Sequence, residues 1–139
     1  MGGMKIVYNR LPDIKRATRK EVGKEVRKTT LLVEGGAKTR IMTGPKSGRL
    51  YKRGKNFHQA SAPGESPATD TGNLANTIQS DFEGDLKGMV NVHAEYAEVL
   101  EYGSANGNLA RRPYLTPAVE EQRDDFEKGV ANAIKRATK

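Results

Sequence analysis

Apolar or neutral residues recur at Leu11, Ile14, Thr18, Val22, Val26, Thr29 and Leu32/Val33, every three to four positions. Lys15, Arg16, Arg19, Lys20, Lys24, Arg27 and Lys28 fill the other faces. This spacing predicts a long basic amphipathic helix with a narrow apolar stripe. Pro12 stands near its first helical position, where a missing N–H is harmless. Gly35-Gly36 is expected to stop it after about six turns. A second helical stripe runs through Val119, Gln122, Phe126, Val130, Ala133/Ile134 and Ala137. Thr116 reads as its N-cap and Pro117 as its first residue. Glu120, Glu121, Asp124 and Asp125 suit its positive end, and Lys135, Arg136 and Lys139 its negative end.

Between the helices the pattern is shorter and more polar. Met4–Asn9 alternates weakly and reads as a short strand or an extended arm. Lys38–Thr43 and Arg49–Arg53 flank Gly44-Pro45-Lys46-Ser47-Gly48, a run of turn formers, which predicts a hairpin or long loop. Its rim is basic: Lys38, Arg40, Lys46, Arg49, Lys52, Arg53 and Lys55. Asn56–Thr69 is poor in apolar residues and reads as a linker or ordered loop. Asp70-Thr71-Gly72 is a turn. Leu74, Ile78 and Phe82 are spaced by four, which suits a helical turn, although Ile78–Phe82 reads equally as strand. Gly88–Ala94 alternates Val90 and Val92 inward, a strand. Tyr96–Glu101 clusters as a short helix ended by Gly103. The whole is an α+β domain over residues 1–139. A long N-terminal helix and a C-terminal helix pack on a small, mostly antiparallel sheet, with a long basic hairpin or loop at about 37–69.

Composition narrows the function classes. Only 35% of the 139 residues are hydrophobic and Trp is absent, which is lean for a self-sufficient globule. Some surface is therefore expected to be solvated or buried in an assembly. Without Cys, disulfides and thiolate chemistry are excluded. No apolar run approaches a membrane span and no signal-peptide core follows Met1, so a soluble cytoplasmic protein without a membrane partner is expected. The net charge of +7 is unevenly placed. Residues 1–63 hold 16 Lys/Arg against 4 Asp/Glu, and residues 64–139 hold 8 against 13. A bipolar chain suits packing of its basic half on its own acidic half or on a neighbour's, and it also permits nucleic-acid contact.

The residues carry little catalytic chemistry. His58 and His93 are the only histidines and have no ligand spacing, so neither a metal site nor a cofactor is expected. Glu95, Glu98 and Glu101 fall at three-residue spacing and read as a solvated helix face or the acidic partner of a neighbour's Arg. Gly44-Pro45-Lys46-Ser47-Gly48 lacks the order of a phosphate loop. The basic loop interleaves Tyr51 and Phe57 with Lys46, Arg49, Lys52, Arg53 and Lys55. That mixture suits contact with an acidic subunit, the lining of a DNA channel, or plain solvent.

Three punctuated segments keep a fixed order: Ala60–Leu74 with Pro-Gly-Glu and Asp70-Thr71-Gly72-Asn-Leu74, then Tyr96-Ala97-Glu-Val-Leu-Glu101-Tyr-Gly103, then Arg112-Pro113-Tyr114-Leu-Thr-Pro117. With Tyr51–Gly54 and His58–Glu65 before them, they resemble the tail-completion, or head–tail joining, proteins of tailed bacteriophages and prophages (the gene-product-ten-like neck family). Tyr102 stands where that family often has Phe. The resemblance chooses strand over helix for Ile78–Phe82. It implies a non-enzymatic virion subunit that forms a ring, sixfold by tail symmetry, between the DNA-filled head and the tail. Head connector or stopper proteins and tail terminator proteins would be its partners, with DNA in the channel. It also implies structural roles. Asp70, Thr71, Gly72 and Leu74 would turn the chain into the sheet. Tyr96, Ala97, Glu101 and Gly103 would form the short helix and its exit, and Arg112, Pro113 and Tyr114 would fix the last helix. A basic DNA-binding protein and a tail terminator or minor tail protein are the alternative readings, with a small hydrolase remote.

Overall fold

A computed structural model describes residues 10–44, 46–48, 50–53, 55–68 and 73–139. The fold is the expected α+β arrangement, built along one helical spine. Helix α1 spans Leu11–Thr43, 33 residues or about 50 Å of rise. Pro12 stands in its first turn. Its stripe runs as the spacing predicts through half-buried Ile14, Thr18 and Val22 to buried Val26 and Val33. Leu11 and Leu32 face outward instead.

Gly35-Gly36 does not stop this helix. The pair costs about 2 kcal/mol of helix propensity against Ala. Beyond it, however, Ala37 and Ile41 are almost wholly buried, and their packing outweighs that cost. Gly36 also faces Ala118, where a Cβ would meet the alanine methyl at 3.5 Å, so the missing side chain lets two helices approach.

Helix α4 (Leu115–Ala137) runs antiparallel along α1. Ala118 packs near Gly36, Gly129 lies against Glu25, and Arg40–Glu121 (2.7 Å) and Arg136–Glu21 (3.4 Å) tie the two helices. The basic half of the chain thus meets part of the acidic half within one molecule. Against another side of α1 lies the antiparallel hairpin of β3 (Ile78–Glu83) and β4 (Lys87–Val92). Glu34 accepts the Ser80 amide at 2.8 Å, Arg27 stacks over the Phe82 ring at 4.1 Å, and Gly88 lies directly against Thr30. The core cluster joins Val33, Ala37, Ile41, Leu74, Ala75, Ile78, Tyr114 and Ala118, with Val90 and Val92 packed on its edge as the alternation predicts.

The basic hairpin exists and keeps one of its expected strands, since the Arg49–Arg53 segment supplies Leu50–Arg53, but its partner is not Lys38–Thr43. Lys38–Thr43 is the last turn and a half of α1, and the Gly44–Gly48 run only leads out of it. The strands are β1 (Leu50–Arg53) and β2 (Asn56–Gln59), paired antiparallel, so the linker reading of Asn56–Thr69 fails over its first four residues. The sheet is thus two separate two-stranded ribbons. Two short helices complete the chain: α2 (Asn73–Asn76), leading into β3, and α3 (Ala97–Tyr102). Met4–Asn9 lies outside the described residues.

Candidate functional site

The residues singled out in the sequence gather at one corner, where α3 meets the start of α4. At its centre is Glu101, only 4% exposed. One carboxylate oxygen accepts the amides of Tyr114 (2.9 Å) and Leu115 (3.0 Å), and the other accepts that of Thr116 (2.7 Å). These are donors of the first turn of α4, which have no partner inside the helix. Thr116 is therefore not the N-cap, and Pro117 is not the first residue. Tyr114 occupies the cap position and makes no side-chain cap bond, so a carboxylate from another helix does the capping. Negative charge at that end also complements the helix dipole. Burial pushes the Glu101 carboxyl up, but hydrogen bonds from the Thr116 side chain and the three amides outweigh it and hold the group below its usual range.

The solvated-face reading of Glu95, Glu98 and Glu101 therefore holds for the first two, which are exposed, and fails for Glu101. With both oxygens engaged by backbone donors, this carboxylate has little capacity left for acid–base work.

The rest of the corner is built around that cap. Tyr114 is 1% exposed, its hydroxyl donates to Ala97 O at 3.3 Å, and burial with the nearby Glu101 charge pushes its phenol up to about 12. Ala97 is buried beneath it, and Tyr96, about half exposed, stands at the cap of α3. Gly103 leaves α3 at φ +83°, the left-handed region where a side chain is strained. A Cβ there would also press within 3.0 Å of Leu109 O. The Arg112 amide donates to Leu100 O at 2.6 Å, and its guanidinium reaches Ala110 O (3.0 Å) and Ser61 O (3.4 Å). Pro113 is half-buried between these anchors, and Leu74 is buried in the adjoining core. Asp70, Thr71 and Gly72 lie outside the described residues.

The basic residues are not brought together in the same way. The Lys46 ammonium turns inward to Arg40 O (3.1 Å) and Ser66 O (2.9 Å), and burial lowers its pKa. Lys52 and Lys55 are exposed on the β1–β2 hairpin, Arg53 closes β1 in register with Asn56, and Arg49 lies outside the described residues. The base of the hairpin is stapled by Glu65, which sequence reasoning passed over. It accepts the Ser47 hydroxyl, the Ser47 amide (2.8 Å) and the Ala62 amide (2.9 Å). Those bonds, the hydroxyl's first, hold its carboxyl below the usual range. Its only signal in the sequence is a carboxylate just after Pro63-Gly64.

His58 lies on β2 rather than in a loop, and His93 just past the end of β4. Among the described residues no three His, Asp or Glu side chains gather as a metal site would require. No described helix is long and apolar enough to cross a membrane. No family model, curated protein or solved structure matches this chain.

Proposed function

We propose that this chain is a non-enzymatic structural subunit of a phage neck, a tail-completion or head–tail joining protein that assembles in a ring. The observation that carries the reading is the convergence of the motif segments. Glu101 and Tyr96–Gly103 cap and seat the helix that Arg112–Tyr114 begins, and Arg112 reaches back to Ser61 in the approach to the first segment. The ordered motif is thereby consistent with one folded unit of that family. Further support comes from the surface. Leu50, Phe57, Leu86, Val119 and Ile134 are each more than 40% exposed, apolar area that an assembly would bury.

Electron micrographs of lysates from a parent phage lacking this gene test the reading. DNA-filled heads beside separate, finished tails are expected. Intact virions, or heads that never fill, would overturn it.

One observation favours a second reading. Exposed Lys15, Arg16, Lys20 and Lys28 stud the outside of α1, cations of the kind that contact phosphate backbones. Micromolar binding to random duplex that collapses between low and moderate salt would support a DNA-binding protein.

A further inference from the structure

Two apolar surfaces of this chain are uncovered, and they lie at different places. The first is a groove where α1, β4 and α4 meet, a cavity of about 380 Å³ lined by Val26, Val33, Val90, Leu115, Val119 and Phe126. The second is one face of the β1–β2 hairpin. Its register sets Lys52 opposite Phe57 and Leu50 opposite Gln59, so these four share a face. Phe57 is 65% exposed and Leu50 60%. The hairpin is tied beyond the C-terminal end of α1, through Gly48 N to Ala60 O and Lys46 Nζ to Arg40 O. The groove opens at Val26–Val33, roughly 15–25 Å back from the end of the same helix, and the hairpin of the same chain leaves it open.

From these two surfaces we infer that the groove of one copy receives the hairpin of a second, with Phe57 seated against Val119 and Phe126. The inference rests on the ring reading above and names the surfaces that join the subunits. Charge argues for a second copy as the occupant. On α4 the stripe of Val119 and Phe126 is flanked, on the side away from α1, by exposed Glu120 and Glu127, with Arg123 between them paired to Glu120 at 2.8 Å. The hairpin brings Lys52 on the apolar face and Lys55 in its turn. The groove's own cation, Lys87, is engaged by Glu83 at 3.2 Å. A basic, aromatic-tipped ribbon therefore fits an apolar slot beside which Glu127 is the carboxylate left over after the Glu120–Arg123 and Glu83–Lys87 pairs, and the same chain carries both. Joined head to tail, with each copy giving its hairpin to the next, the two surfaces form a heterologous contact, which generates a ring where its rotation closes.

The absence of Cys makes the test direct, since an introduced thiol is unique. One chain carries Phe57→Cys and another Val119→Cys, and the two are mixed and oxidised mildly. The control pairs Phe57→Cys with Glu98→Cys, exposed on α3. The mixed disulfide is expected at least ~10-fold above the control, as a contact held at bonding distance requires. In parallel, Phe57→Asp should weaken self-association by on the order of 10- to 100-fold, as losing an interface aromatic does, with an unchanged far-ultraviolet spectrum. Assembly that persists in Phe57→Asp, with no excess of the mixed disulfide over its control, would overturn the groove while leaving a ring by other surfaces. A chain that stays monomeric by light scattering at every concentration would overturn the inference outright. The virion reading fails separately, in the micrographs of gene-disrupted lysates.

Discussion

Replacing Glu101 removes the acceptor that serves three amide donors at the head of α4. In Glu101→Ala the Tyr114 amide is stranded in a buried corner, and the amides of half-buried Leu115 and of exposed Thr116 lose their acceptor. At ~1 kcal/mol for each donor, the loss comes to about 3 kcal/mol. For a chain of this size that corresponds to a fall of roughly 10 °C in Tm. Glu101→Gln separates charge from shape. Its amide oxygen still accepts from one side, but its NH₂ then faces a backbone N–H, so about 2 kcal/mol should be lost. Urea unfolding followed by circular dichroism measures both.

The pH dependence gives a sharper test. The Glu101 carboxyl is held below its ordinary value of 4.5, so below that value the unfolded chain binds the proton more readily than the folded one. The stabilisation is therefore complete above the ordinary value and is lost as pH falls through the folded one. The gap between wild type and Glu101→Gln should narrow as pH falls below about 4.5 and through the folded value. A gap that stays constant with pH, or one under ~0.5 kcal/mol at neutral pH, would refute the capping argument.

Three further perturbations are expected to act locally. Gly88→Ala sets a methyl on the Thr30 side chain, whose hydroxyl is already bonded to Val26 O at 2.7 Å, and should cost about 1–3 kcal/mol. Thr30→Ala in the same chain should recover part of that loss, read as a coupling in a double-mutant cycle. Gly35→Ala adds a methyl in open space on an exposed part of α1 and should raise stability by ~0.5–1 kcal/mol in the same unfolding assay. Tyr114→Phe removes one long hydrogen bond, costs under ~1 kcal/mol, and should delete the tyrosinate absorbance that appears near pH 12 in an ultraviolet titration.

Periodicity made both long helices and β4 legible, because each buries a stripe whose spacing matches its geometry, whereas Leu74, Ile78 and Phe82 at spacings of four left β3 open to a helical reading. Local signals misled where a tertiary contact decides the outcome. Gly35-Gly36 carries the local mark of a helix end, yet Ile41 and Ala37 bury a further turn beyond it. The five turn formers at Gly44–Gly48 drew the hairpin toward themselves, while the β1–β2 strands join over only two residues. Thr116 looked like a complete N-cap, so nothing in the sequence showed that α4 lacked one. The carboxylate that supplies the cap is 13 residues upstream on another helix. Its three-residue spacing with Glu95 and Glu98 suggested a wet face instead.

The geometry of the cap ties the three segments to one another. The middle segment carries Glu101, the last segment presents the amides it holds, and Arg112 closes the loop onto Ser61 near the start of the first. Such a device is satisfied within one chain and offers neighbours little beyond Tyr96 and Tyr102. Motif substitutions should therefore lower the yield of folded protein and change assembly only through that loss. The hairpin contributes no residue to the core cluster, so Leu50 and Phe57 changes should leave the fold intact and alter assembly alone. The three segments would then hold the fold together, while the surfaces left for a second copy lie outside them, on the hairpin and the α4 stripe.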